Sequence, residues 1–131
     1  MRQNRLTLTF PLLLTAAAFA SLPVVASASR APVRQERLQL REAVKRSGYV
    51  PAPIRRGRFE LVRPRISTEG RWALSTIQPT GRLRRQLDAV VGLFQFRRGV
   101  WRLAQAGTAG VGCGKLIVPR DVRRDLGIRC A

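Results

Sequence analysis

The chain has 131 residues, with 25 Lys and Arg, seven Asp and Glu, no His and a formal net charge of +18. This length fits one ordinary domain. The missing His excludes His-based triads and dyads and His-ligated metal sites, and it removes the side chain most often used for acid–base catalysis. The positive charge favours contact with anionic surfaces but specifies no fold.

The N-terminal segment has the pattern of a secretory signal peptide. Arg2 and Arg5 precede an uncharged run over 6–29 that is rich in Leu, Ala and Phe. The run ends with Ala26-Ser27-Ala28, which fits the small-x-small pattern of a cleavage site. We therefore predict a signal peptide over residues 1–28, with cleavage near Ala28.

An uncleaved membrane anchor is the alternative, because the 24 uncharged residues are enough to span a bilayer. Pro11 and Pro23 interrupt the run, however, and the cleavage pattern favours removal. Removing residues 1–28 takes two basic residues and no acid, and leaves a charge of +16 on 103 residues. We predict one small domain over 29–131 in a secreted, periplasmic or otherwise extracytoplasmic location.

Both cysteines, Cys113 and Cys130, lie in this exported part. Two cysteines outside a reducing cytosol most often pair, so we predict a structural disulfide. A reactive or metal-binding thiol pair is the alternative, but a metal would need further ligands and the chain has no His. We expect no metal site and no cofactor.

The first predicted element of the mature chain is a helix over 29–48, with Pro32 in its first turn and Gly48 at its C-cap. An imperfect apolar stripe is formed by Val33, Leu40 and Val44. The remaining face carries Arg34, Arg37, Arg41 and Lys45. Such a helix can lie on an anionic membrane, but no Trp or Phe is available to enter lipid. Packing on a core, with a solvated basic face, is therefore favoured.

A proline-spaced connector over 49–54 and a basic loop over 55–58 follow. The apolar period then becomes two, which predicts strands over 59–66, 71–78, 89–96 and 100–107. Pro64 indicates an edge strand or a bulge, and Arg97-Arg98-Gly99 predicts a hairpin turn. Apolar residues of both parities in the third strand indicate neighbours on both faces of the sheet.

A short helical turn is expected in the connector over 79–88, and Pro119 opens a short C-terminal helix with Gly127 past its end. We predict an α+β fold whose N-terminal helix packs on a four-stranded antiparallel curled sheet, as in a cystatin-like or NTF2-like roll. The disulfide ties down the C-terminal helix. The predicted core residues are Val33, Leu40, Val44, Leu61, Ile66, Trp72, Leu74, Val91, Leu93, Phe94, Trp101, Leu103, Val122 and Leu126.

The acidic residues give little support to an enzyme. Glu60 and Glu69 flank the first turn between strands, which would let them face each other across a hairpin. Two carboxylates across a cleft are what a glycosidase needs. Neither lies in an apolar setting that would tune its pKa, so solvated acids are favoured. The segment 110–116 fails the Walker A pattern, because Ala109 and Leu116 stand where Gly and Ser or Thr are needed. We predict that the protein is not an enzyme.

Arginine clusters are the best candidate for a binding site. We expect three clusters, at 55–58, 82–85 and 97–98, to lie in loops at one end of the sheet, where they would focus positive potential, and Arg suits bidentate phosphate contacts. The predicted polyanion-binding residues are Arg55, Arg56, Arg58, Arg82, Arg84, Arg85, Arg97 and Arg98. An arginine bias from GC-rich coding is the alternative. No nucleic-acid recognition motif is present, so acidic envelope polymers or lipid head groups are the more accessible partners.

A pattern between about residues 58 and 131 consists of Arg71-Trp72-Ala73, Gly99-Val100-Trp101-Arg102, Gly107-Thr108, Cys113, Pro119-Arg120-Asp121-Val122, Asp125-Leu126 and Cys130. It is similar to small exported, single-disulfide proteins of high-GC Gram-positive bacteria, which are largely uncharacterised. The resemblance implies export, a disulfide and a small sheet domain, and it carries no catalytic residue.

The sequence therefore predicts a secreted basic binding module that engages anionic components of the cell envelope. The alternative is a secreted protein-interaction or inhibitor module that uses the loops between strands. A small enzyme using Glu60 and Glu69 is the third and weakest hypothesis. The sequence leaves the oligomeric state open.

Overall fold

The computed structural model describes residues 28–114 and 118–131. The predicted signal peptide lies outside the described residues except for Ala28. The described residues form an α+β fold with a four-stranded antiparallel sheet in the order β1-β2-β3-β4. The sheet does not close, so β1 and β4 are its two edges.

The four strands lie within one residue of their predicted positions. They are β1 Phe59–Ile66, β2 Trp72–Pro79, β3 Val90–Arg97 and β4 Val100–Gly107. The tight turn between β3 and β4 is confirmed, because only Arg98 and Gly99 separate the strands. Their φ angles are 52° and 77°, the left-handed conformation that a two-residue hairpin turn requires to match strand twist.

Helix α1 spans Arg34–Arg46, inside the range 29–48 over which the sequence predicts a helix. The predicted ends are wrong, since Pro32 precedes the N-cap Val33 and Gly48 follows the C-cap Ser47. Val33 has no polar side chain to cap the helix. Its backbone N–H instead donates to the carboxylate of Glu36 over 2.9 Å.

A second helix, α2 Ala52–Arg56, takes the place of the predicted proline-spaced connector and basic loop. Pro51 is its N-cap and Pro53 lies in its first turn, where backbone N–H groups have no helical partner. The prolines therefore start a helix here rather than exclude one. The helical turn expected in the next connector is a 3₁₀ helix over Gly81–Arg85.

Helix α3 spans Arg120–Leu126, and Gly127 ends it in the left-handed conformation, with φ of 73°. Cys113 and Cys130 are joined by the predicted disulfide, with their Cα atoms 5.7 Å apart. The bridge closes a loop that contains α3. Such bonds are typical of proteins outside the reducing cytosol. Over the described ranges, the helices are all too short or too polar to cross a membrane.

Hydrophobic side chains pack on both faces of the sheet. One core joins the sheet to α1 and α2, and its members include Leu40, Val44, Ile54, Phe59, Ile77, Phe94, Trp101 and Leu103. The other joins the opposite face to α3 and consists of Trp72, Leu93, Val111, Val118, Val122 and Leu126. Neighbouring residues Leu93 and Phe94 of β3 lie in different cores, which confirms that β3 is covered on both faces.

Eleven of the fourteen predicted core residues are buried. Val33 is 61% exposed, because it is the N-cap residue and precedes the part of α1 that packs on the sheet. Leu74 and Val91 are only half-buried against the α3 core. Several buried residues are absent from the predicted core, and two of them, Val50 and Ile54, were missed because they belong to the segment interpreted as a connector.

The β1 edge is irregular and partly covered. Its register shifts between Val62 and Arg65, next to Pro64, which confirms the bulge that the proline predicts. Arg30 pairs with Ile66 through two backbone hydrogen bonds of 2.9 and 2.7 Å. Arg65 also donates to the hydroxyl and the carbonyl oxygen of Ser29. The N-terminal segment of the described chain thus covers the far end of this edge.

Candidate anion-binding surface

Two of the three predicted arginine clusters lie at the same end of the sheet. Helix α2 leads into the start of β1, and the 3₁₀ helix follows the end of β2, opposite that start. The N–H of Thr80 donates to the carbonyl of Arg58 over 3.0 Å. Gly57 and Leu83 approach so closely that a Cβ on Gly57 would lie 2.6 Å from Leu83 Cδ1. These contacts hold α2 and the 3₁₀ helix side by side.

We call this region the arginine end, and it comprises Arg55, Arg56, Arg58, Arg82, Arg84 and Arg85. All but Arg55 are exposed. The ion pairs among the described residues are Arg30–Glu36 and Lys45–Glu42, so none of these arginines has an acidic partner within the structure described. Five exposed, unpaired guanidinium groups concentrate positive potential in one region of the surface.

Arg55 differs from its neighbours. It is half-buried, and its Nε donates to the carbonyl of Val50 over 3.0 Å. This bond ties the end of α2 back to the segment before it. Arg55 therefore holds the local fold, and the other five arginines of the region are the ones free to contact a ligand.

The predicted placement at one end of the sheet is wrong for Arg97 and Arg98. They lie at the turn from β3 to β4, and in an antiparallel sheet of this order that turn is at the end opposite the start of β1. Exposed Arg71, just before β2, is at the same end, and its carbonyl accepts from the N–H of Phe96 over 2.8 Å. Arg71, Arg97 and Arg98 thus form a second basic region, which we call the hairpin end.

The expectation that Glu60 and Glu69 face each other across a hairpin is also wrong. Glu60 is the second residue of β1 and pairs with Gln78, whereas Glu69 lies in the turn beyond Ile66. Six residues of strand from Glu60 to Ile66 correspond to about 20 Å. The two carboxylates therefore share no cleft.

Sequence reasoning missed a third group of arginines, around α3. Arg120, Arg123, Arg124 and Arg129 line a depression of about 480 Å³ beside Cys130. A guanidinium nitrogen of Arg123 lies 3.5 Å from the sulfur of Cys130. The sequence does indicate this group, because arginines stand between the apolar residues Val122 and Leu126 of the predicted helix, which are buried.

Two further arginines are structural, and one of them, Arg41, was predicted to lie on a solvated face. Arg41 is half-buried, donates to the carbonyl of Phe59 over 2.8 Å and stacks 4.6 Å above the centre of the Phe59 ring. Arg30 forms a bidentate pair with Glu36 through bonds of 2.8 and 2.7 Å. The hydrogen bond from Arg30 holds the pKa of Glu36 below its ordinary value; burial opposes that shift, and the N–H of Val33 adds to it. The same bond raises the pKa of Arg30.

Across the ranges 28–114 and 118–131, no group of three or more Asp, Glu or Cys side chains is placed to hold a metal ion. Comparisons with known proteins give no match: no family model, no curated protein and no solved structure resembles the chain significantly. Of the eight predicted polyanion-binding arginines, six lie together at the arginine end.

Proposed function

We propose that the protein is exported and binds an anionic component of the cell envelope through the arginine end. The observation that carries this proposal is the set of five exposed arginines at one end of the sheet, none paired with an acid in the described structure. The ligand chemistry is a dense array of phosphate or carboxylate groups, as on a lipid surface or an acidic polymer. Arginine suits it because the guanidinium fork matches such oxyanions bidentately.

Export is part of the same proposal. The segment 1–28 has the pattern of a signal peptide, and the disulfide suggests an extracytoplasmic location. The resemblance to small exported, single-disulfide proteins of high-GC Gram-positive bacteria agrees with export. For the sheet and α1 we propose a cystatin-like or NTF2-like roll. Sequencing the N-terminus of the exported protein tests export. We expect the mature chain to begin at Ser29, and a chain beginning at Met1 would contradict cleavage.

Binding is tested with the mature protein and three probes at low and raised salt. They are vesicles containing phosphatidylglycerol, vesicles of phosphatidylcholine alone, and an immobilised glycerol-phosphate polymer. We expect retention on the anionic probes at low salt and release as salt rises, because exposed charges are screened beyond about 10 Å at 0.1 M salt. Retention on phosphatidylcholine alone, or retention that salt leaves unchanged, would contradict an electrostatic site.

The two anionic probes also distinguish the source of the phosphates. Binding to the polymer but not to vesicles assigns the site to an envelope polymer, and the reverse assigns it to lipid. Absence of binding to both at low salt would overturn the proposal.

A further inference from the structure

The free edge of β4 is a second surface that the proposed function leaves unused. The sheet ends at β4, whereas the β1 edge carries a bulge, Pro64 and the short pairing with Arg30. In the part of the chain that the structure describes, no residue outside β3 hydrogen-bonds to the β4 backbone. An unpaired strand edge is a template for another strand unless something blocks it.

The register shows which backbone groups face outward. Arg97 and Val100 flank the two-residue turn and form a hydrogen-bonded pair, so the pairing of β4 with β3 alternates from there. The backbone N–H and C=O groups of Trp101 and Leu103 consequently point away from β3. Each residue as a whole is only 4% and 6% exposed, and both side chains belong to the core shared with α1, so the edge presents little of either residue beyond its outward-facing backbone groups.

A groove of about 430 Å³ runs beside this part of β4. Its walls are Val100–Leu103 on one side and the end of α1 with the following loop, 43–49, on the other. Tyr49 is 64% exposed and Val100 is 41% exposed, which gives the groove apolar surface. The N–H of Tyr49 donates to the hydroxyl of Ser47 over 3.0 Å, which fixes the loop.

The charges at the groove select the partner. Arg46 and Arg102 line it, both are exposed, and no carboxylate is among its lining residues. A second copy pairing through β4 would bring like charges together across the new strand pair, which is unfavourable. Arg102 alternates with the buried Trp101 and Leu103, so its side chain lies on the face of the sheet opposite α1 and Arg46. A strand with acidic side chains on either face would therefore meet one guanidinium group and pair favourably.

We propose that the edge of β4 and this groove bind an extended acidic segment of another protein by adding a strand to the sheet. Backbone hydrogen bonds to Trp101 and Leu103 hold the segment, and Arg46 and Arg102 select its acidic side chains. This surface lies apart from the arginine end, so the inference does not depend on the proposed function.

The probe is a synthetic ten-residue peptide of alternating Val and Glu with both ends blocked. A second peptide of the same sequence, N-methylated at every amide, keeps the charge but cannot form a strand pair. We expect the first peptide to slow amide exchange at Trp101 and Leu103, and the methylated peptide to bind at least about tenfold more weakly, since lost backbone bonds remove the pairing energy. Equal affinity for the two peptides would overturn the proposal.

Matched protein variants separate the groove from general charge. Arg46→Ala with Arg102→Ala removes two positive charges at the groove, and Arg84→Ala with Arg85→Ala removes two at the arginine end. We expect the first pair to weaken peptide binding about tenfold and the second less than about twofold, because the distant charges are screened. Equal losses would overturn strand addition. Vesicle binding reports separately on the proposed function, since it depends on the arginine end.

Sedimentation equilibrium without peptide tests whether a second copy of the chain pairs with the β4 edge instead. A monomer is the expected result. A dimer in which the amides of Trp101 and Leu103 are already protected would assign the edge to a second copy and overturn the acidic partner.

Discussion

At the scale of single residues, arginines that look alike in the sequence have different roles in the fold. Arg41 binds the Phe59 carbonyl and ring, Arg55 binds the Val50 carbonyl, and Arg65 binds Ser29. Arg56 and Arg58 are exposed and are absent from the ion pairs of the described residues. Composition indicates only the total charge, because a structural arginine is defined by a carbonyl or ring that tertiary packing brings close.

The pair Arg41 and Arg37 tests this distinction on one helix. Arg41→Ala removes a hydrogen bond and a cation–π contact, and we expect the free energy of unfolding to fall by about 1 to 2 kcal/mol. Arg37→Ala, with the same charge change at an exposed position of α1, is the control and should change it by less than about 0.5 kcal/mol. Denaturant unfolding measures both. If Arg41→Ala lowered the free energy of unfolding as little as Arg37→Ala, Arg41 would have no structural role.

The ion pair between Arg30 and Glu36 should make the free energy of unfolding depend on pH. Because the folded state lowers the pKa of Glu36 below its ordinary value of 4.5, its contribution to stability is fully present above that value and is lost as pH falls through the lower folded value. We expect Glu36→Gln to reduce stability by about 0.5 to 1 kcal/mol at pH 7, since the pair is partly exposed and also caps α1.

Unfolding of wild type and Glu36→Gln at pH 7, 5 and 3 measures this dependence. The difference in free energy of unfolding between wild type and Glu36→Gln should be the same at pH 7 and pH 5 and should be smaller at pH 3. Glu42→Gln, which breaks the more exposed pair with Lys45, is the control and should change stability by a few tenths of a kcal/mol. A difference for Glu36→Gln that stays constant down to pH 3 would contradict the assigned role.

At the scale of elements, the strands were predictable because alternation is a local signal. All four strands lie within one residue of prediction, and Gly99 marks the tight turn. Helix α2 was not predictable in the same way, since Pro51 and Pro53 fit both a connector and a first helical turn. Burial of Ile54 against α1 and the sheet, a long-range contact, decides between the two.

Helix α3, which lies inside the loop closed by the disulfide, has few packing contacts of its own to stabilise it. Helix α3 has seven residues and depends on the small core that includes Val122 and Leu126. Replacing both Cys113 and Cys130 with Ser should lower the free energy of unfolding by about 3 kcal/mol on the loop-entropy model. Amide exchange should speed up first in α3, before α1 or β2.

Reduction of the wild-type protein is the control, because it opens the same loop without changing the sequence. It should reproduce the loss of stability and the early exchange of α3. Uniform acceleration of exchange throughout the sheet would contradict a local role of the disulfide.

At the scale of the whole molecule, the topology decides which charges act together. Antiparallel neighbours place successive turns at alternating ends of the sheet, so clusters before β1 and after β2 converge, and the cluster after β3 does not. This arrangement of the clusters follows from the sequence as soon as four antiparallel strands in chain order are predicted. The contact of Gly57 with Leu83, which brings α2 against the 3₁₀ helix, required the folded chain.

Two matched triple variants show whether anion binding is localised at the arginine end. Arg82→Ala, Arg84→Ala and Arg85→Ala remove three charges from the arginine end, and Arg71→Ala, Arg97→Ala and Arg98→Ala remove three from the hairpin end. All six residues are exposed, so both triples should fold as the wild type does.

The measurement is the affinity of both triples for phosphatidylglycerol vesicles and for the glycerol-phosphate polymer at low salt. We expect the arginine-end triple to bind whichever probe the wild type prefers at least about tenfold more weakly, and the hairpin-end triple to lose less than about threefold in affinity. Equal losses for the two triples would contradict a localised site, because binding would then follow net charge alone.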